Sequence, residues 1–129
     1  MKKLLSAILL TATLSLSTLA WGSRQQLTIR AGEQKAADGG RVTVSFTKVI
    51  DDSRCPMNAR CVWAGNARIE LAISKGKGQA QIVELNTNTG QRIVRVFGYR
   101  IRLDGLTQKN PESMEMVDRP LVATISITK

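Results

Sequence analysis

Apolar and polar residues alternate along most of this chain in short runs, and this period of two constrains the fold more than any other feature. In the run from Arg41 to Phe46, for example, every second residue is apolar. Such alternation places the apolar side chains on one face of a β-strand. Further runs of this kind begin near Leu27, Ile69, Ala80, Ile93, Tyr99 and Leu121. The pattern therefore predicts about seven strands, and no segment has a convincing helical pattern.

About seven short strands in a segment of roughly 100 residues favour an all-β fold, an antiparallel, immunoglobulin-like β-sandwich. A small β-barrel is the alternative. We expect residues 23–129 to form this single domain. The longest gap between the later strands runs from Thr107 to Pro120, and its polar composition and two prolines predict a surface loop.

Residues 1–22 have the organisation of a secretory signal peptide. Lys2 and Lys3 form a positive start, an apolar stretch follows, and small residues predict cleavage after Ala20 or Gly22. Arg24 closes the apolar stretch before it reaches the roughly 20 residues of a transmembrane helix. No Cys lies near either cleavage site. We therefore expect an exported protein, periplasmic or secreted, with no lipid anchor and no transmembrane segment after cleavage.

The chain is basic, with 19 Lys and Arg against 10 Asp and Glu and a formal net charge of +9. This excess favours anionic partners such as an acidic polymer of the cell envelope, although scattered charge can also simply keep a protein in solution. Arg92, Arg95, Arg100 and Arg102 lie on predicted strands, so they could form a basic stripe or an ordinary solvated face. The few aromatic residues are not interleaved with basic ones, which disfavours nucleic acid as a partner.

Both cysteines, Cys55 and Cys61, lie in the predicted domain. In an exported protein such a close pair normally forms a disulfide. In the loop-entropy model a ring of this size contributes about 2.4 kcal/mol to stability. A zinc site needs more ligands than these two cysteines, and the chain contains no His.

The segment 50–67 reads IDDSRCPMNARCVWAGNA. Its DSRCP run, followed four residues later by CVWAGNA, resembles a signature of small, largely uncharacterised bacterial proteins that are exported or lipid-anchored. The matching residues are Asp52, Ser53, Arg54, Cys55, Pro56, Cys61, Trp63, Ala64 and Gly65. The resemblance implies a β-sandwich-like domain in the cell envelope, and it implies no activity.

The same segment supports two interpretations. As a scaffold, Asp51 to Ser53 accept backbone hydrogen bonds, Arg54 pairs with Asp51 or Asp52, and Trp63 packs on the disulfide or caps the sandwich. Gly65 then allows a close backbone approach or a positive φ. As a binding loop, the disulfide presents a rigid recognition surface, whose ordering cost on binding is small. The candidate binding residues are Asp52, Arg54, Met57, Asn58, Arg60 and Trp63.

No catalytic motif stands out. Without His the usual Ser-His-Asp and Cys-His arrangements are excluded, and the glycine patterns of phosphate and dinucleotide loops are absent from the sequence. We predict no cofactor and no metal. The preferred hypothesis is a non-enzymatic domain that binds a protein or an anionic envelope component. The alternatives are an inhibitor of a secreted enzyme, acting through residues 54–62, and a hydrolase whose two carboxylates are brought together by folding.

Overall fold

The structure is a computed structural model that describes residues 23–56, 59–107 and 120–129. The predicted signal peptide, Met57, Asn58 and most of the predicted surface loop (108–119) lie outside these residues. The described residues form eight strands and one 3-10 turn, Asp38–Gly40. The strands are β1 (Gln25–Arg30), β2 (Gln34–Ala37), β3 (Val42–Asp52), β4 (Ala67–Lys75), β5 (Gln81–Asn86), β6 (Ile93–Val96), β7 (Tyr99–Leu106) and β8 (Val122–Thr128).

The strands form two four-stranded antiparallel sheets. We call the sheet with the order β1-β8-β7-β6 sheet A and the sheet with the order β2-β3-β4-β5 sheet B. The predicted all-β architecture is confirmed, and because the sheets do not close on each other the barrel alternative is wrong. Sheet B is built from consecutive strands, whereas an immunoglobulin domain interleaves early and late strands in each sheet. The strand order is therefore not that of an immunoglobulin domain.

The core lies between the inner faces of the two sheets and is filled by the alternating residues that the sequence identified. Phe46 of β3 and Tyr99 of β7 are its largest fully buried side chains. Around them pack aliphatic residues from both sheets, including Ile29, Val42, Val44, Ile69, Leu71, Ile73, Leu85, Ile101, Leu103 and Ile125. Burial of this apolar surface is the main force that holds the two sheets together.

The structure has one strand more than the predicted seven, because β2 carries no alternating pattern. Its sequence is QKAA, and only Ala37 is buried. β2 is an edge strand held by backbone pairing with β3, so its side chains carry little information about it. The run that begins near Ala80 also predicts an inward-facing Ile82, and this prediction is wrong. Ile82 is 56% exposed, because Val83 and Leu85 are the inward-facing residues of β5.

Three irregularities interrupt the pairing of β3 with β4 and of β7 with β8. The register shifts between Phe46 and Lys48, between Val49 and Asp51, and between Leu103 and Gly105. Each such bulge inserts one extra residue and changes the direction in which the following side chains point. The period of two consequently ends at Phe46, and the last part of β3 leads into the cysteine-containing segment.

Candidate functional site

The connection between β3 and β4, residues 53–66, contains the disulfide, and we call it the stapled loop. Cys55 and Cys61 are bonded to each other, as predicted, with their Cα atoms 5.7 Å apart. The base of the loop is closed by Ser53 and Asn66. The backbone N–H of Ser53 donates to the Asn66 carbonyl at 2.9 Å, and the Asn66 N–H donates to the Ser53 hydroxyl at 2.9 Å.

Gly65 occupies the point where the two sides of the stapled loop come closest. Its φ is +64°, and a Cβ atom added there would lie 2.2 Å from the Ser53 carbonyl oxygen. Any other residue would therefore force the backbone apart. Both features expected of Gly65, the close approach and the positive φ, are confirmed.

Arg54 pairs with Asp52 rather than with Asp51. Its Nε and Nη2 atoms donate to the two carboxylate oxygens of Asp52 at 2.9 and 2.8 Å. Its Nη1 atom donates to the Leu106 carbonyl, in sheet A, at 3.2 Å. Only 15% of the Arg54 side chain and 11% of the Asp52 side chain are exposed. This geometry gives both candidate residues a structural role, in which Arg54 ties the loop to the opposite sheet.

Asn66 joins the stapled loop to the turn between β5 and β6, a role that the sequence analysis did not predict. Its side-chain oxygen accepts hydrogen bonds from the backbone N–H groups of Asn88 and Thr89 at 2.9 and 3.1 Å. Its Nδ2 atom donates to Asn86 at 2.9 Å. The only sequence signal was the cluster of Asn, Thr and Gly from 86 to 90, which indicates a turn but not its partner.

After Cys61 the stapled loop carries an exposed apolar pair, Val62 and Trp63, which we call the tip. Val62 is 100% exposed and Trp63 is 59% exposed. The indole N–H of Trp63 donates to the Ser53 carbonyl at 3.2 Å, so the polar edge of the ring is used within the chain. Arg60 is exposed beside this tip. Trp63 therefore lies outside the core and leaves more than half of its surface in solvent.

Most of the described carboxylates lie within ion-pairing distance of basic side chains. Asp51 and Glu84 both bind Arg68, at 2.9 and 3.5 Å. Glu70 lies directly opposite Glu84 in the pairing of β4 with β5, and it accepts a hydrogen bond from the Thr47 hydroxyl at 2.8 Å. Two shallow cavities on the described surface lie along β6, β7 and β8. Their linings consist of arginines, hydroxyl-bearing residues, Gly98 and Lys129. Neither has an Asp or Glu in its lining.

A second polar link between the sheets lies at the other end of β7. The Tyr99 hydroxyl donates to the carboxylate of Asp38, in the turn before β3. This hydrogen bond lowers the pKa of Asp38 below its ordinary value of 3.8, although burial opposes the shift. The same hydrogen bond, together with burial, raises the pKa of Tyr99 above 10.0. Both groups therefore hold their neutral-pH charge states, with Asp38 ionised and Tyr99 neutral.

Within the described residues, no helix is long and apolar enough to cross a membrane, and no cluster of three or more His, Cys, Asp or Glu could hold a metal ion. Comparisons of the chain with protein-family models, with curated proteins and with solved structures found no match.

Proposed function

We propose that this protein is an exported, non-enzymatic binding domain that recognises another protein through the tip of its stapled loop. The observation that carries the proposal is the full exposure of Val62 beside the half-exposed ring of Trp63. Large apolar side chains lose favourable free energy when they remain in water, so an adjacent exposed pair on a fixed loop suggests a contact surface.

The rigidity of the loop supports this role. The disulfide, the Ser53–Asn66 hydrogen bonds and the Arg54–Asp52 pair hold the tip in place before any partner arrives. A preorganised loop loses little conformational entropy on binding, and tryptophan is among the residues that contribute most to protein interfaces. Because the indole N–H is already satisfied by Ser53, a complementary partner needs only an apolar pocket for the ring.

The proposal also includes export, and membership of the group of bacterial proteins that share the DSRCP signature. They are supported by the N-terminal pattern of charge, apolar residues and small residues, by the cysteine segment, and by the disulfide itself. Mass spectrometry of the protein from fractionated cells tests export. An N-terminus at Trp21 or Ser23 in the periplasmic or secreted fraction is expected, and an intact N-terminus in the cytoplasm would contradict the proposal.

The binding proposal is tested by capturing partners from an envelope extract of the source organism at physiological salt. The informative variant is Val62→Asp, because Val62 is fully exposed and the change places a charge where the apolar contact is proposed. The matched control is Ile82→Asp, which makes the same kind of change at an exposed apolar residue on sheet B. Arg54→Ala is unsuitable, since Arg54 holds the loop together.

Captured proteins are identified by mass spectrometry and tested again as purified pairs by calorimetry. A protein that binds the parent and the Ile82→Asp variant, but not the Val62→Asp variant, supports the proposal. Capture that is the same for both variants, or lost in both, contradicts it. If the identified partner is a secreted enzyme whose activity falls on binding, the inhibitor alternative is the correct form of the proposal.

A further inference from the structure

The outer face of sheet A carries a concentration of arginine on β6 and β7. Tyr99, Ile101 and Leu103 point into the core, so Arg100 and Arg102 point outward from β7. Arg95 of β6 lies directly opposite Arg100 in the register. We call Arg95, Arg100 and Arg102, with Arg24 and Lys129 beside them, the arginine face. It is separate from the stapled loop.

The acidic residue on this face, Asp104, is already engaged. Its carboxylate lies 3.5 Å from both Arg24 and Arg102, and it accepts hydrogen bonds from Ser126 and Gln26. Burial alone would raise the pKa of Asp104, but these hydrogen bonds and the two arginines hold it below its ordinary value. Asp104 is therefore ionised at neutral pH and offsets one of the two positive charges of Arg24 and Arg102.

Unlike Arg24 and Arg102, Arg95 and Arg100 have no ion-pair partner among the described residues. Among the residues that the structure describes, no carboxylate lies within ion-pairing distance of either guanidinium. Like charges directly opposite each other on neighbouring strands destabilise a sheet. The placement of Arg95 opposite Arg100 lowers the stability of the free protein. It is readily explained if a bound anion lies between the two side chains when the protein functions.

The arginine face also has two depressions that are large enough to hold an anionic group. One, of about 150 Å³, is lined by Arg24, Arg100, Arg102, Ser126 and Thr128. The other, of about 260 Å³, is lined by Arg95, Gly98, Tyr99, Arg100, Thr128 and Lys129. They share Arg100 and Thr128, so two anionic groups could be held side by side and contact one common guanidinium.

We propose that the arginine face binds successive phosphate groups of a linear anionic polymer. Guanidinium groups form paired, charge-assisted hydrogen bonds with phosphate oxygens, and the hydroxyls of Thr128 and Ser126 add further polar groups. Alternate residues on a strand are separated by roughly 6.7 Å, a spacing that suits neighbouring groups on an extended chain.

Apolar side chains that would enter a bilayer do not line the two cavities, and Tyr99, the aromatic residue there, is buried. The polymer is therefore recognised by its phosphates rather than by acyl chains or bases.

The test measures binding of long-chain polyphosphate to the purified protein by calorimetry over a range of salt concentrations. The variant Arg95→Gln with Arg100→Gln removes two charges from the face. The matched control, Lys75→Gln with Lys77→Gln, removes two charges from the exposed hairpin between β4 and β5 in sheet B. Thermal melting of both variants establishes that they are folded.

The face variant should bind polyphosphate about tenfold more weakly than the parent, and the control variant about as tightly as the parent. The slope of log affinity against log salt should fall by roughly 1.4 in the face variant, since each phosphate contact with a single strand contributes about 0.7. Equal weakening in both variants would show that net charge alone attracts the polymer. That result overturns the proposal, as does tighter binding to a carboxylate polysaccharide or to anionic lipid vesicles than to polyphosphate.

Discussion

The guanidinium of Arg54 connects the two sheets, since it binds the carboxylate of Asp52 at the end of β3 and donates to the Leu106 carbonyl at the end of β7. We expect Arg54→Ala to lower the free energy of unfolding by about 2–4 kcal/mol, because the largely buried carboxylate of Asp52 loses its partner. The exposed Arg60 is the control, and Arg60→Ala should change stability by less than about 0.5 kcal/mol. Urea denaturation of both variants measures the difference, and similar values for the two would refute a structural role for Arg54.

Gly65 and Gly39 provide a matched pair of glycines. Their φ angles are +64° and +65°, but a Cβ at Gly39 meets nothing within 4 Å, whereas at Gly65 it overlaps the Ser53 carbonyl. Gly39→Ala should therefore lower the free energy of unfolding by about 1–2 kcal/mol, which is the cost of the left-handed backbone conformation for a residue with a Cβ. Gly65→Ala should cost about 2 kcal/mol more, because the loop must also move. If urea denaturation gave the same loss of unfolding free energy for both variants, the close approach at Gly65 would not contribute to stability.

The amide of Asn66 fixes the β5–β6 turn, so Asn66→Ala should speed hydrogen exchange at the backbone N–H groups of Asn88 and Thr89. We expect a loss of about 0.5–1.5 kcal/mol in unfolding free energy, which is the net contribution of a hydrogen bond that water can partly replace. Asn66→Asp keeps the acceptor oxygen and should leave these two amides more protected than Asn66→Ala does. Exchange monitored by NMR distinguishes the variants, and unchanged protection in Asn66→Ala would contradict the proposed link.

The Asp38–Tyr99 hydrogen bond predicts a dependence of stability on pH. Because the pKa of Asp38 is lower in the folded state than its ordinary 3.8, its contribution is present above that pH and is lost as pH falls through the folded-state pKa. Because the pKa of Tyr99 is raised above 10.0, its contribution is present below pH 10.0 and is lost at higher pH. Tyr99→Phe should weaken both dependences in urea denaturation. A variant with the parent's full acid and alkaline sensitivity would show that this hydrogen bond is not their source.

The like-charge pair on the arginine face should limit stability in the absence of polyanion. Arg95→Gln is expected to raise the free energy of unfolding by about 0.2–1 kcal/mol, because Arg95 no longer opposes Arg100. The gain should shrink at high salt, which screens exposed charges. Urea denaturation at low and high salt tests this, and a destabilised variant would mean that Arg95 has a compensating partner.

The sequence predicted those parts of the fold that depend on side-chain burial. Phe46, Ile69, Tyr99 and Ile125 were identified because alternation reports directly which residues face the core. β2 was missed because backbone pairing at a sheet edge, rather than apolar side chains, holds QKAA in place. The bulges were missed for a related reason, since an extra residue in one strand is defined by the partner strand and not by its own sequence.

At the candidate site, the sequence identified local features and missed long-range partners. The disulfide and the geometry of Gly65 follow from neighbouring residues, and both were predicted. The choice of Asp52 over Asp51 by Arg54, and the contact of Asn66 with the β5–β6 turn, depend on how the two sheets and their loops meet. The exposure of Trp63 also could not be read from its sequence neighbours, because a tryptophan beside a disulfide is equally suited to packing on it.

The most direct test of the central claim is site-specific photocrosslinking in the source organism. A photoreactive phenylalanine analogue replaces Val62 in one variant and Ile82 in the other, so both probes are exposed but only one lies at the loop tip. We predict a discrete crosslinked protein at position 62 that is absent at position 82. The absence of any adduct at position 62, or the same adduct at both positions, would contradict the proposal that the stapled loop is the recognition site.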